Sequence, residues 1–304
     1  MALALDIRRP AGTALRTLLQ REFVRAGKRL DQATADSPSE RVKGVHEFRR
    51  SVKRLRAALR LARGVIGAQA HRVLDRALGG AARRLGTLRD AHARTIAAAR
   101  IAALLPRSTR AVAMDAWRAT GGAVAEAAGG MSVEAVRALV RESRAEIDAA
   151  QAQVAGLDLD ALTWSAVARA IAESHGAARA RFRARWDGRD EEWLHDARKR
   201  AQRAANMLAL LPISAGRPLD SVQVRLRQAA GLLGESRDAG LMLDRLPELP
   251  KASPLHAASR QMRRAAARHR SRCLSRARAV GLAASRERRD EMRRRLDRAL
   301  RRPS

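Results

Sequence analysis

Hydrophobic residues recur along almost the whole chain at intervals of three and four positions, which is the spacing of an amphipathic α-helix. Alanine, leucine, arginine and glutamate are abundant, β-branched and aromatic residues are scarce, and tyrosine is absent. Local propensities therefore favour helices as well. No segment has the regular alternation of apolar and polar residues that predicts a β-strand. The pattern predicts an all-α protein.

Proline, glycine and serine residues divide this pattern into consecutive helices. The predicted helices cover residues 10–33, 39–64, 69–105, 111–128, 132–153, 162–186, 191–211 and 218–246, followed by a basic helical region from residue 255 with a break near 281. Residues 156–160 interrupt the rhythm. We expect them to separate two tandem four-helix bundles, a first over residues 10–155 and a second over residues 160–302.

The predicted helix over residues 39–64 contains a stretch, from about residue 45 onward, with two contrasting faces. At about 100° per residue, an apolar face that can be buried in a bundle is formed by Phe48, Val52, Leu55, Leu59 and Ala62. The opposite face is formed by His46, Arg49, Arg50, Lys53 and Arg60, and only Glu47 interrupts its cations. Neighbouring cations on a helix repel one another unless an anion lies over them. This face therefore indicates a polyanion site.

Two segments of the first half have counterparts in the second half at nearly the same offset. The sequence HEFRR at residues 46–50 is echoed by HDARK at 195–199, and LGTLRD at 85–90 is echoed by LGESRD at 233–238. Such a pair of echoes predicts a duplicated helical unit. In the second copy His195, Arg198 and Lys199 again share one face. We expect the two basic faces, related by a pseudo-twofold axis, to line one groove or channel where the bundles meet.

The charge balance supports an anionic partner. The chain has 62 lysine and arginine residues against 31 aspartate and glutamate residues, a formal net charge of +31. A GC-rich genome would explain why arginine replaces lysine, but it leaves the excess of cations over anions unexplained. Self-repulsion of this size is relieved by a bound polyanion.

The motif residues resemble the CHAD family, the conserved histidine α-helical domain, in which His-x-x-Arg and a basic cluster are followed by Leu-Gly-x-x-Arg-Asp, in two copies. The first copy matches this pattern with His46, Arg49, Lys53, Arg54, Arg56, Arg89 and Asp90. The second copy matches it with His195, Arg198, Lys199, Arg203, Arg237 and Asp238. Gln202, Ala205 and Asn206 depart from it, so we expect the first half to dominate binding.

The resemblance implies two helical bundles around a basic cavity that binds inorganic polyphosphate, and an association with polyphosphate granules. Many relatives carry an N-terminal triphosphate-tunnel domain, which is marked by a Glu-x-Glu-x-Lys strand. This motif is absent here, so the resemblance also implies a stand-alone protein. Arginine suits such a ligand, since its planar fork bridges two phosphate oxygens. The expected polyphosphate-binding residues are His46, Arg49, Arg50, Lys53, Arg54, Arg56, Arg60, Arg89, His195, Arg198, Lys199, Arg203 and Arg237.

Some of these residues have a second interpretation. His46 and His195 either donate hydrogen bonds to phosphate or order the bundle through a hydrogen bond between helices. Arg89 and Arg237 either reach the ligand or form structural ion pairs with carboxylates of a neighbouring helix. The sequence leaves both alternatives open.

Other functional classes receive less support. The chain has no GxxxxGK[ST] loop, no HExxH and no Cys/His set at zinc spacing, so we expect no catalytic residue, metal site or cofactor. The main alternative is sequence-independent binding of nucleic acid through its phosphate backbone. Single-strand binding usually adds aromatic stacking platforms, and aromatic residues make up only 2% of this chain. A basic scaffold for acidic proteins or membranes would not require the histidine motif to recur.

The sequence also predicts a location. The apolar start of MALALDIRRP is too short for a secretory signal, and no apolar run reaches the roughly 18 residues of a membrane span. A single cysteine, Cys273, is compatible with a reducing compartment and is predicted to be a packing residue. We therefore expect a cytoplasmic protein.

Overall fold

The computed structural model describes residues 4–119, 132–187, 190–212, 217–246 and 249–301, and within these ranges all side chains except those of residues 38, 87–94, 217 and 218. These ranges contain eleven α-helices and no β-strand, so the all-α prediction is confirmed. The helices are α1 (Ala11–Gln32), α2 (Pro38–Leu61), α3 (Arg63–Arg84), α4 (Gly86–Ala102), α5 (Arg107–Trp117), α6 (Val133–Ala155), α7 (Trp164–Arg183), α8 (Glu191–Leu208), α9 (Arg217–Arg245), α10 (His256–Ala284) and α11 (Arg289–Leu300).

Polar caps fix the start of several helices. The side chains of Ser132, Thr163 and Asp190 accept hydrogen bonds from backbone N–H groups in the first turns of α6, α7 and α8. Glu191 and Glu192 follow in the first turn of α8, where carboxylates favour the positive end of the helix dipole. The second motif helix therefore has a strongly defined first turn.

Two helix breaks differ from the prediction. The helix predicted over residues 69–105 is divided at Leu85 into α3 and α4, because Leu85 leaves helical geometry just before Gly86, a residue of low helix propensity. The C-terminal break lies at Ser285 and not near residue 281, where Gly281 continues α10. The helix predicted over residues 111–128 begins earlier, at Arg107, and α5 ends at Trp117, whereas the predicted end at residue 128 lies outside the described residues.

The helices pack in two neighbouring groups. In the first group α2 packs against α1 and α3, and α6 packs against the same two helices. In the second group α8 and α10 flank α9, while α7 packs against α8, α10 and α11. The arm formed by α4 and α5 leaves the first group and packs against α9 and α10. The two groups are joined directly, because α2 also packs against α7 and α8.

One hydrophobic core continues across both groups and contains Phe23, Phe48 and Phe182, each at most 2% exposed. A second, smaller cluster joins the α4–α5 arm to α9 and α10 through Ile101, Trp117 and other residues. The described core thus passes over the predicted boundary at residues 156–160. The division into two domains and the duplication stay predictions.

The predicted buried face of the first motif helix is confirmed, and the second motif helix has an equivalent buried face. The apolar residues Phe48, Val52, Leu55, Leu59 and Ala62 of α2 are buried, as are their counterparts in α8, Leu194, Ala197, Ala201, Ala204 and Leu208. On α3, Val73 is 42% exposed. The buried stripe of α3 instead follows His71, Leu74 and Leu78 at helical spacing.

Within the described ranges, no helix combines the length and the apolar character that a membrane span requires.

The contact between α7 and α10 depends on a glycine. A Cβ atom at Gly281 would lie 2.1 Å from Cδ1 of Phe182. Phe182 is completely buried, so its ring has no room to move aside. We expect Gly281→Ala to lower the free energy of unfolding by about 1–3 kcal/mol through overpacking, and thermal or urea unfolding will measure this change.

Gly231→Ala in α9 is the matched control, because no heavy atom lies within 4 Å of a Cβ at that position. This helical alanine should stabilise the protein by about 0.5–1 kcal/mol. Changes of the same sign and size in both variants would contradict the packing argument.

Candidate anion-binding site

The contact between α2 and α8 borders a cavity of about 410 Å³. Residues from five helices line it, namely α2, α4, α5, α8 and α9. The cationic and imidazole side chains in its wall are Arg49, Lys53, His195, Arg198, Lys199, Arg237 and Arg245. The two basic motifs, distant in the sequence, therefore meet in one concavity.

The electrostatics of the cavity favour anions. Among the described lining residues, six are lysine or arginine and one, Asp238, carries a carboxylate. The remaining wall contains Gln202 and the apolar side chains of Ala97, Trp117, Leu241 and Met242. Apolar walls of low dielectric concentrate the field of the charges beside them. The cavity is thus built to attract a ligand of high negative charge.

Arg49 is positioned by α3 and by the first Leu-Gly motif. Its Nη1 donates a hydrogen bond to the carbonyl oxygen of Ala82 at 2.7 Å. A Cβ atom at Gly86 would lie 3.0 Å from the same nitrogen. A Cβ atom here would be tighter than an ordinary van der Waals contact, so the glycine of LGTLRD leaves room for the guanidinium of Arg49.

The second copy repeats the same contact. A Cβ atom at Gly234 would lie 3.2 Å from Cζ and from Nη2 of Arg198. In each copy the glycine of the Leu-Gly motif therefore makes room for the arginine of the His-x-x-Arg motif. This contact explains physically why the two segments occur together in each half.

His195 is held by the arginine of the second Leu-Gly motif. Nη1 of Arg237 lies 3.1 Å from Nδ1 of His195. A guanidinium can only donate, so Nδ1 accepts and the imidazole proton is on Nε2. Burial lowers the pKa of His195, and the nearby Lys199, Arg237 and Arg198 lower it further. The neutral ring has an Nε2–H that can donate to an anion.

Several predicted residues lie outside the cavity wall and contact carboxylates. Nη1 of Arg50 donates to Glu47 at 2.9 Å, and Nη1 of Arg54 lies 3.4 Å from the fully buried Glu22. Arg56 holds both oxygens of Asp75, at 2.8 and 2.7 Å. These contacts give the three arginines a structural role, and their ligand contact stays a prediction.

Arg60 and Arg203 continue the basic surface along the seam between α2 and α8. Arg60 lies about 16 Å beyond Arg49 along the axis of α2, at 1.5 Å per residue. Burial, together with the charge of Arg203, lowers the pKa of Arg60 to about 10. Burial also lowers the pKa of Arg203. The carboxylate of Asp75 lies near both guanidinium groups and offsets part of this lowering.

The two histidines are not equivalent in the structure. His195 lines the cavity, whereas His46 is exposed and does not contribute to its wall. The first motif contributes Arg49 and Lys53, and the second motif contributes more of the lining groups. Of the two histidines predicted to line one channel, only His195 therefore belongs to the wall of this cavity. The side chain of Arg89 lies outside the described residues.

The sequence prediction missed two prominent lining residues. Arg245 follows Arg237 and Leu241 at four-residue intervals on α9, so helical periodicity could have identified it. Trp117, which is 3% exposed, reaches the cavity because the α4–α5 arm crosses to the second group of helices. Nothing in the local sequence indicates that crossing.

Fold and site together define an all-helical protein with a cationic cavity between two motif helices. The CHAD domain sequence profile matches residues 21–221, and the chain belongs to this family.

The structure of the CHAD domain from the plant Ricinus communis has a TM-score of 0.55 and 18% identity, covering 98% of this chain and 95% of that one. PptA from Streptomyces chartreusis has a TM-score of 0.55 and 17% identity, covering 92% of this chain and 100% of that one. At these identities the likeness shows a shared fold. A comparison with curated proteins gave no match.

The environment of His195 predicts how its pKa responds to an anion. Without ligand, its pKa lies below the ordinary value near 6.5. A bound phosphate favours the charged imidazolium and raises the pKa, so binding takes up a proton. Affinity for tripolyphosphate should therefore increase as the pH falls through the pKa of the anion-bound ring.

NMR titration of the His195 ring with and without tripolyphosphate measures the two pKa values. The variant His195→Gln should bind with a weaker pH dependence than the wild type. A pKa of His195 that is unchanged by the anion would contradict this prediction.

Proposed function

We propose that this protein binds inorganic polyphosphate in the cavity between α2 and α8, and that it acts as a binding protein and not as an enzyme. The observation that carries the proposal is the convergence of both basic motifs on one concavity. Its described lining residues include six lysine or arginine side chains and one carboxylate. Such a site offers many hydrogen-bond donors to phosphate oxygens.

The shape of the basic surface favours a chain-like ligand. On α2, Arg49, Lys53 and Arg60 lie on one side of the helix, and they extend from the cavity along the seam with α8. Arg203 approaches Arg60 from α8. A linear polyphosphate carries about one charge per phosphate and can follow this row, whereas a single phosphate would occupy only a part of it.

Nucleic acid fits the same surface less well. Its phosphates would satisfy the cations, but single-stranded binding draws on exposed aromatic side chains that stack with bases. Trp117, the aromatic side chain of the cavity wall, is almost completely buried and packs in a hydrophobic cluster. The concave site therefore favours a slender polymer without bases.

The proposal extends to the location of the protein. A molecule that binds long polyphosphate tightly would collect where the polymer is stored, which makes the surface of cytoplasmic polyphosphate granules the expected site. A fluorescent fusion should overlap with stained granules and become diffuse in cells that lack polyphosphate.

Charge reversal tests the site. The double variant Arg49→Glu/Lys53→Glu should lose at least about 100-fold in affinity for long-chain polyphosphate, taking about 1.5 kcal/mol for each charge-assisted hydrogen bond. Filter binding or fluorescence anisotropy will measure the loss. The matched control is Arg286→Glu/Arg294→Glu, which changes the net charge equally at exposed positions outside the cavity wall. Equal losses in both variants would mean that only the overall charge matters.

Salt dependence and competition test the ligand. The six cavity cations together with Arg60 and Arg203 would neutralise about eight phosphates, so the slope of log affinity against log salt should be near −6, at roughly 0.7 per contact for a single strand. Polyphosphate should displace single-stranded DNA when both are present at equal charge concentration. Preferential retention of DNA would overturn the proposal in favour of nucleic acid.

A further inference from the structure

Three metal-ligating side chains of different chemistry converge between α9 and α10. Sγ of Cys273 lies 3.4 Å from Nε2 of His269, and Oε2 of Glu235 lies 3.9 Å from the sulfur and 3.5 Å from the imidazole nitrogen. Glu235 belongs to the second Leu-Gly motif, on α9, whereas His269 and Cys273 belong to α10. All three lie beyond residue 221, where the CHAD profile match ends.

The triangle formed by these three atoms has the size of one face of a zinc tetrahedron. With a Zn–S bond of about 2.3 Å and Zn–N and Zn–O bonds of about 2.0–2.2 Å, tetrahedral ligands lie about 3.3–3.7 Å apart. Two of the three separations in the structure fall within this range, and the third exceeds it by a few tenths of an ångström. A metal ion can therefore contact all three atoms after only small side-chain movements.

The backbone makes this arrangement rigid. His269 and Cys273 are four residues apart on one helix, so their side chains project from the same face one turn apart. The thiol is 3% exposed, and the side chains of His269 and Glu235 are 16% and 36% exposed. The partly exposed carboxylate leaves a side from which an ion and a water molecule can enter.

A neighbouring arginine orients the carboxylate. Nη1 of Arg100, on α4, lies 3.7 Å from Oε1 of Glu235, while Oε2 is the oxygen that faces the sulfur and the imidazole. Groups that hold a metal ligand in place in this way are typical of protein metal sites. This ion pair favours the orientation in which Oε1 faces Arg100 and Oε2 faces the sulfur and the imidazole.

We propose that Glu235, His269 and Cys273 form a Zn²⁺ site that joins α9 to α10. A thiolate, an imidazole and a carboxylate form a donor set that suits zinc, and water would complete the tetrahedron. The dication with one thiolate and one carboxylate is neutral overall, so the basic surroundings do not repel the loaded site. The ion would fix α9 two residues before Arg237, which lines the anion-binding cavity.

Metal binding tests the proposal on the full chain. The protein is first freed of polyphosphate with high salt and of metals with a chelator, because polyphosphate itself carries metal ions. After reloading and gel filtration, mass spectrometry of the metals should find about one zinc ion per chain. Replacement by Co²⁺ should give the thiolate-to-cobalt charge-transfer absorption that reports a sulfur ligand.

Variants locate the ion. Cys273→Ser and Glu235→Gln should each weaken zinc binding by more than about 100-fold, and Arg100→Met, which disturbs only the orientation of Glu235, by roughly 10–100-fold. The control Glu191→Gln removes another carboxylate that pairs with an arginine of α10, Arg270, and should leave zinc affinity unchanged. Circular dichroism will check that each variant remains folded.

Two results would overturn the proposal. One is a wild-type protein that gives neither stoichiometric zinc nor the cobalt–thiolate absorption. The other is zinc that remains equally bound in Cys273→Ser and Glu235→Gln, which would place the ion elsewhere. Polyphosphate affinity, measured in parallel, is an independent readout, so the zinc site and the proposed function can fail separately.

Discussion

The packing of α2 against α8 is the interaction on which the candidate site depends, because it brings together two helix faces of like charge. A pair of cations about 6–10 Å apart repels by roughly 2–3 kcal/mol at an effective dielectric constant of about 20. The opposite, apolar faces provide the compensation, since each fully buried side chain such as Phe48 or Leu55 contributes about 1.5–3 kcal/mol. The core therefore holds the cations together before any ligand arrives, and an anion that binds there relieves repulsion without reorganising the fold.

The two motifs of each half are connected by steric fit. Arg49 passes over Gly86 and Arg198 passes over Gly234, so a side chain at either glycine would crowd a guanidinium and make it shift by a few tenths of an ångström. The second motif adds the hydrogen bond from Arg237 to His195, which fixes the ring tautomer. The motif arginine thus depends on a second helix for its position, and basic residues on α2 or α8 alone would not create the site.

Periodicity predicted most of the fold, because it identifies which face of a helix is buried, and the buried stripes of α2 and α8 agree with it. It could not predict what lies beside a given side chain. Arg56 lies on the basic side of α2 but is held by Asp75 of α3, and Trp117 reaches the cavity from an arm that crosses between helix groups. The break at Leu85 was missed because the apolar pattern continues through it. These features depend on tertiary contacts between segments that are distant in the sequence.

The same limitation explains why zinc-type spacing was absent from the sequence while three ligand-type side chains meet in the structure. The spacing rules for zinc motifs describe ligands that are close together in one segment, whereas Glu235 comes from α9 and the other two groups come from α10. Glu235 and Arg237 are two residues apart, or about 200° around the helix axis. One face of α9 therefore turns a cation to the anion-binding cavity, and the opposite face turns a carboxylate to α10. Two positions little more than half a turn apart on α9 therefore face two different candidate sites, one suited to an anion and one suited to a cation.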